Sequence, residues 1–159
     1  MLNLTLNAPQ NVFLNQLNTK YRAFIGGFGS SKTFSGCLDL LIFASNHPKT
    51  RQGYFAQTYS DIKDIFYPTI EEAAQMMAFT ADVKVGNKEV HLYRGRLYYG
   101  TIICRSMDNP STIVGFKIWK MDETKTIAGP KEFFPAMSVS ATLMKTPSGN
   151  YVVNVTDLN

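Results

Sequence analysis

The stretch Tyr21-Arg-Ala-Phe-Ile-Gly26-Gly-Phe-Gly-Ser-Ser-Lys32-Thr33 decides how the rest of the chain is read. Tyr21 to Ile25 predicts a short buried strand, and Lys32 to Ser45, with Phe34, Leu38, Leu41 and Ile42 on one side, predicts a helix. Gly26 to Ser31 is then the loop between them. Glycines at 26, 27 and 29 let the backbone wrap closely around an anion, because positive φ costs glycine little. The N–H groups at the start of the following helix point at the same anion, with the helix dipole behind them. Strand, glycine-rich loop, Lys-Thr and helix in this order predict a phosphate-binding loop formed by Gly26, Gly27, Gly29, Ser30, Ser31, Lys32 and Thr33. In that role Lys32 reaches the β- and γ-phosphates, and the Thr33 hydroxyl is a ligand of Mg²⁺. The cofactors implied are ATP and Mg²⁺. Ser31 stands where glycine is usual before the lysine; if the position needs a glycine-like backbone, serine costs about 1 kcal/mol. A glycine-rich turn with an incidental Lys-Thr is the competing account.

Upstream, Pro9, Gln10 and Asn11 to Asn18, with Val12, Phe13, Leu14 and Leu17 at helical spacing, predict a short amphipathic helix. Downstream, His47 and Pro48 end the helix that opens at Lys32. Gln52 to Gln57 follows as a second strand, Ser60 caps a helix through Phe66, and Pro68 breaks it. Thr69 and Glu72 have capping-box spacing for a further helix to about Ala78. Val83 and Val85, the turn signal Gly86-Asn87, then Val90 and Leu92 read as a hairpin. Leu97 to Cys104 and Phe116 to Met121 are two more strands, while Met137 to Leu143 and Tyr151 to Val155 are strand-like around the turn Pro147-Ser-Gly149. The alternation predicts an α/β domain: a mainly parallel sheet of the P-loop NTPase type, flanked by helices, with an inserted β-hairpin.

A phosphate loop needs acids at the end of a neighbouring strand, to hold Mg²⁺ from outside and to orient the attacking water. Asp122-Glu123, directly after Phe116-Lys-Ile-Trp-Lys-Met121, is the one place with an apolar strand followed by two acids. Asp122 is assigned to the metal and Glu123 to catalysis, with Lys32 as the other catalytic group; acids that merely face solvent are the alternative. Gln10 precedes the loop, where its amide can read the adenine edge or simply lie on a helix surface. His47 and His91 have no neighbours at ligand spacing. Asp61, Asp64, Glu71 and Glu72 read as a solvated helix face, and Arg94 and Arg96 as a charged turn, with phosphate contact as the other reading.

The chain has 159 residues, 45% of them apolar and 13% aromatic, which is enough for one domain with a real core. Its net charge of +4 is compatible with a polyanionic partner and decides little. Cys37 and Cys104 are read as reduced packing residues. Neither a leader segment nor an apolar stretch long enough to span a bilayer is evident, so a cytoplasmic location is expected and membrane partners are not.

Taken together, these segments resemble the ATPase half of the large terminase subunit of tailed bacteriophages. Pro9-Gln10 with Phe13-Leu14, and then residues 21–33, are similar to that family's adenine motif and phosphate loop. Gly53-Tyr-Phe-Ala-Gln-Thr-Tyr-Ser-Asp-Ile-Lys-Asp64 is similar to its second strand and helix, and Arg105-Ser-Met-Asp-Asn-Pro110 with Gly115 is similar to the approach to its acidic motif. The resemblance covers about residues 8–123. It implies an ATP-driven motor moving double-stranded DNA into a capsid, as a homo-oligomeric ring with a portal protein and a small terminase subunit.

Residues 1–123 are accordingly expected to be a partial P-loop ATPase-like domain and 124–159 an atypical tail, either a β-hairpin of the same domain or unstructured. The family's nuclease domain, and with it DNA cutting, is not expected in this polypeptide. Val114 stands where arginine often precedes the glycine, so either the transition-state arginine is missing or Arg105 or Arg51 substitutes for it. Met137 to Thr146 before Pro147 reads either as a coupling strand or as a plain hairpin arm. The alternatives to a motor are a truncated, non-hydrolysing nucleotide-binding or interaction module and a basic DNA-binding protein without nucleotide.

Overall fold

In the computed structural model, residues 5–15, 22, 24, 29–108, 118–121, 138–145 and 151–158 are described, the last three stretches by their backbone. The elements are α1 (Ala8–Asn15), α2 (Lys32–Asn46), β1 (Thr50–Ala56), α3 (Tyr59–Asp61), a π-helical turn (Ile62–Phe66), α4 (Tyr67–Met76), β2 (Thr80–Lys84), β3 (Glu89–Arg94), β4 (Leu97–Ser106), β5 (Ile118–Met121), β6 (Ser138–Lys145) and β7 (Tyr151–Leu158). The expected strand at Tyr21 to Ile25 lies largely outside the described residues.

Five strands form one sheet in the order β2-β3-β4-β1-β5. β1 is parallel to β4 and to β5, while β2, β3 and β4 run antiparallel. The sheet is therefore mixed, a correction to the mainly parallel one expected. The reason is local: β2, β3 and β4 follow one another through tight turns, and strands joined that way must reverse direction. The expected hairpin is β2–β3, and it forms the outer edge of the sheet. β6 and β7 form a separate antiparallel pair, with Ser138 opposite Leu158 and Lys145 opposite Tyr151.

One apolar cluster joins the helices to one sheet face. Phe13 and Leu14 of α1, Cys37, Leu38 and Leu41 of α2, and Ile62, Phe66 and Ile70 of the third helical segment meet Tyr54 of β1, Leu92 of β3 and Ile102 and Cys104 of β4. The Tyr54 and Phe66 rings stack with centroids 3.6 Å apart and planes 13° from parallel. Neither cysteine is in a disulfide, and both are buried in this core. Burial pushes the Cys104 thiol up to about 12.

The helix after β1 differs from its expected form in two ways. Thr58, not Ser60, caps it: the Thr58 hydroxyl accepts the Asp61 N–H at 3.2 Å and the Asp61 carboxylate accepts the Thr58 N–H at 3.0 Å. Pro68 does not break it. Tyr67 donates its N–H to Ile62 O, five residues back, and the widened π turn delivers Pro68 into the first turn of α4, where a missing N–H costs least. The capping box expected at Thr69 and Glu72 is also absent: α4 is entered through Phe66, and the Thr69 hydroxyl donates to Ile65 O at 2.5 Å.

The hairpin turn is four residues rather than two, closed by Asn87 N–H to Lys84 O at 3.1 Å and Lys88 N–H to Val85 O at 3.2 Å. Arg94 is no surface charge in a turn. Its guanidinium lies 4.2 Å from the centroid of Phe79 and 5.2 Å from that of Tyr99, and it donates to Met77 O.

Candidate functional site

The expected phosphate loop is described from Gly29 onward; Gly26 and Gly27 lie outside the described residues, as do Asp122 and Glu123. Gly29 has φ 76° and Ser31 has φ 57° with ψ 32°, so two left-handed residues bend the chain immediately before α2. The position of Ser31 thus has the glycine-like backbone that the motif's usual residue suggests. A left-handed conformation costs a residue with a Cβ about 1–2 kcal/mol.

That bend sets the electrostatics of the helix start. Ser31 gives no side-chain cap to α2, and no acid stands in the first turn, where acids ordinarily offset the positive end of the dipole. Lys32 adds a cation there instead. For a helix alone this is unfavourable; for a helix facing an anion it is what the chemistry requires. The Ser30 hydroxyl is buried with no hydrogen-bond partner among the described residues. Ser31 is exposed, and Lys32 and Thr33 are half-buried. These features suit the phosphates of a nucleotide.

Gln10 comes to the same place from α1. It is 6% exposed, not a surface residue. Its Nε2 donates to Ser35 Oγ at 3.2 Å, Ser35 Oγ donates to Ser31 O at 2.9 Å, and the Ser35 N–H donates to the same carbonyl at 2.9 Å. At its other end, Gln10 Oε1 accepts the Asn7 N–H at 3.0 Å while Asn7 Oδ1 accepts the Gln10 N–H at 2.9 Å. Asn7 and Ser35 are participants that the reading of the motif missed. Asn-x-x-Gln at capping-box spacing and serines at i and i+4 were the available signals.

Beside this relay, Arg22 ties three segments together. It meets Asp39 of α2 at 2.8 Å, donates to Phe13 O at 3.2 Å and lies 5.2 Å from the centroid of the Phe13 ring.

At the sheet edge next to β1, β5 ends at Met121, one residue before Asp122. Met121 is level with Phe55 on β1, and Phe55 is level with Arg105 on β4. Arg51 is four residues earlier on β1, toward the opposite end of the strand. The acids Asp64, Glu71 and Glu72 are exposed on the helix. His47 stacks on Phe43, and His91 pairs with Glu89 at 3.1 Å.

Residues 23–157 match the family model described as terminase large subunit, T4likevirus-type, N-terminal. The chain belongs to that family. Among solved structures it is similar to the large terminase ATPase domain of Thermus phage P74-26, in an arginine-to-alanine mutant, with TM-score 0.51, 13% identity and coverage of 69% of this chain and 50% of that one. The ATPase domain of the same phage without the mutation is matched at TM-score 0.47 and 14% identity, over 61% of this chain and 45% of that one. This terminase chain thus spans about half the length of those domains. No curated protein matches it. Among the described residues no helix is long and apolar enough to cross a membrane.

Proposed function

We propose that the chain binds Mg²⁺-ATP at residues 26–33 and is the nucleotide-binding part of a DNA-packaging motor. The observation that carries this reading is the left-handed turn at Gly29 and Ser31 opening directly into the acid-free first turn of α2, with Lys32 in that turn. In this role the loop amides hold the phosphates, Lys32 offsets charge on the β- and γ-oxygens, and the Thr33 hydroxyl with Asp122 holds Mg²⁺. Glu123 accepts a proton from, and orients, the attacking water. The parallel placement of β5 beside β1, ending one residue before Asp122, supports this division of labour. The strand register favours Arg105 over Arg51 as the arginine facing the transferred group. Residues 1–123 then form the ATPase unit, with 124–159 as its tail. The motor reading, with double-stranded DNA, a portal protein, a small terminase subunit and a ring of copies as partners, follows from the family.

Calorimetric titration of Mg²⁺-ATP tests the core of this. Lys32→Ala removes a charge-assisted contact and is expected to weaken binding by about tenfold or more. Equal affinity for both proteins overturns the phosphate-loop assignment. If ATP is hydrolysed, Glu123→Gln lowers turnover with binding retained.

A further inference from the structure

The amide expected to read adenine already holds one protein partner at its nitrogen and one at its oxygen. A glutamine side chain has two N–H donors and an oxygen with two lone pairs. Here one donor goes to Ser35 and the oxygen takes the Asn7 N–H, and the side chain is buried between α1 and α2. Ser35 in turn is fully buried, and its hydroxyl passes the bond to the carbonyl of Ser31, the left-handed residue that ends the loop. The chain of bonds runs from the cap of α1 to the backbone atom whose peptide plane sets the direction of the Lys32 N–H, since that N–H and Ser31 O share one rigid unit. Two further observations fit a device for orientation. Ser31 has no side-chain cap with which to hold its own conformation, and its strained backbone needs support from outside.

We infer that Gln10 and Ser35 are positioning residues for the phosphate loop. They fix the Ser31 peptide through Ser35, and Gln10 acts on the phosphates of the ligand rather than on its base. The inference rests on the phosphate-loop reading, and it makes base identity irrelevant to Gln10. A base reader and a loop brace differ most sharply on a ligand that has no base.

The test uses the whole chain with Mg²⁺-ATP, Mg²⁺-GTP and inorganic tripolyphosphate, titrated against the wild type, Gln10→Ala, Ser35→Ala, the double variant, and Ser35→Thr, which keeps the hydroxyl. Gln10→Ala and Ser35→Ala are each expected to weaken all three ligands by a similar factor, about fivefold, the size of one ordinary hydrogen bond. The double variant is expected to be no weaker than either single one, because both cut the same link. Ser35→Thr should retain most of the affinity. Loss of ATP binding alone in Gln10→Ala, with tripolyphosphate unchanged, overturns the inference and returns Gln10 to the base. Additive losses overturn it too.

Hydrogen exchange without ligand gives an independent arm. The Ser35 amide, bonded to Ser31 O, should exchange faster in Gln10→Ala, while amides near Leu41 stay protected. Unchanged exchange at Ser35 sinks the brace whatever the protein binds. Tripolyphosphate binding that is indifferent to Lys32→Ala removes the phosphate-loop reading itself, and leaves the exchange result to decide whether the brace exists.

Discussion

Gly100 in the sheet and Ser31 at the mouth of α2 both have positive φ, 154° and 57°, yet only one of them is glycine. At Gly100 the demand is steric as well as torsional: a Cβ there would lie 2.7 Å from Thr50 O, the backbone of the residue level with it on β1. No flexible side chain can give way. At Ser31 the strain is torsional, and the residue is exposed, so the chain survives with a Cβ in place. The sheet keeps the residue that removes strain; the loop keeps one that stores it. Stored strain at a binding turn is affordable where neighbouring bonds over-determine the conformation, and the Gln10 to Ser35 relay is such a set of bonds.

The sheet side of this comparison predicts the largest effect. Gly100→Ala forces β1 and β4 apart or twists the backbone, and is expected to cost about 3 kcal/mol in denaturant unfolding. A variant as stable as the wild type would show that the two strands slide freely at this end, and the contrast with Ser31 would lose its basis.

An intermediate effect is expected where the loop's surroundings meet the core. Asp39 and Arg22 have side-chain exposures of 13% each, so their ion pair is shielded, and Asp39→Ala leaves Arg22, among the described residues, with its contacts to Phe13. The expected cost is about 2 kcal/mol, below that of a fully dry pair because some solvent reaches both groups. A loss below about 0.5 kcal/mol, in the range of an exposed surface pair, would mean that α1 docks without this tie.

What the sequence made legible follows the range of the interaction that decides each element. α2 was readable almost to the residue, because its start at Lys32 and its end near His47 and Pro48 are marked by local chemistry. β1 begins at Thr50, earlier than its apolar run suggests, because polar Thr50 and Arg51 are held by pairing with Gly100 and Thr101, and pairing leaves no mark in the strand's own composition. Pro68 misled for the same kind of reason: its local meaning is a helix break, and the π turn that rescues it is set by Ile62, Phe66 and Ile70 packing into the core. In the candidate site, the left-handed position at Ser31 was implied by the motif, whereas the bond from Gln10 to Ser35 was not, since it depends on how α1 lies against α2.

The smallest effect tests the loop side of the comparison most directly. Replacing Ser31 by glycine relieves a torsional cost of about 1–2 kcal/mol in the folded state. It also loosens the unfolded chain, which returns roughly 0.4–1 kcal/mol of that gain. The net expectation is a stabilisation of about 0.5–1 kcal/mol, by the same unfolding measurement. Ser31→Ala is the control, because the serine side chain makes no cap bond to α2, so alanine at this position should change little. A glycine variant that is less stable than the wild type would mean that Ser31 is not strained, that its left-handed geometry is imposed at no cost by the relay behind it, and that the difference between the two positive-φ sites lies in crowding alone.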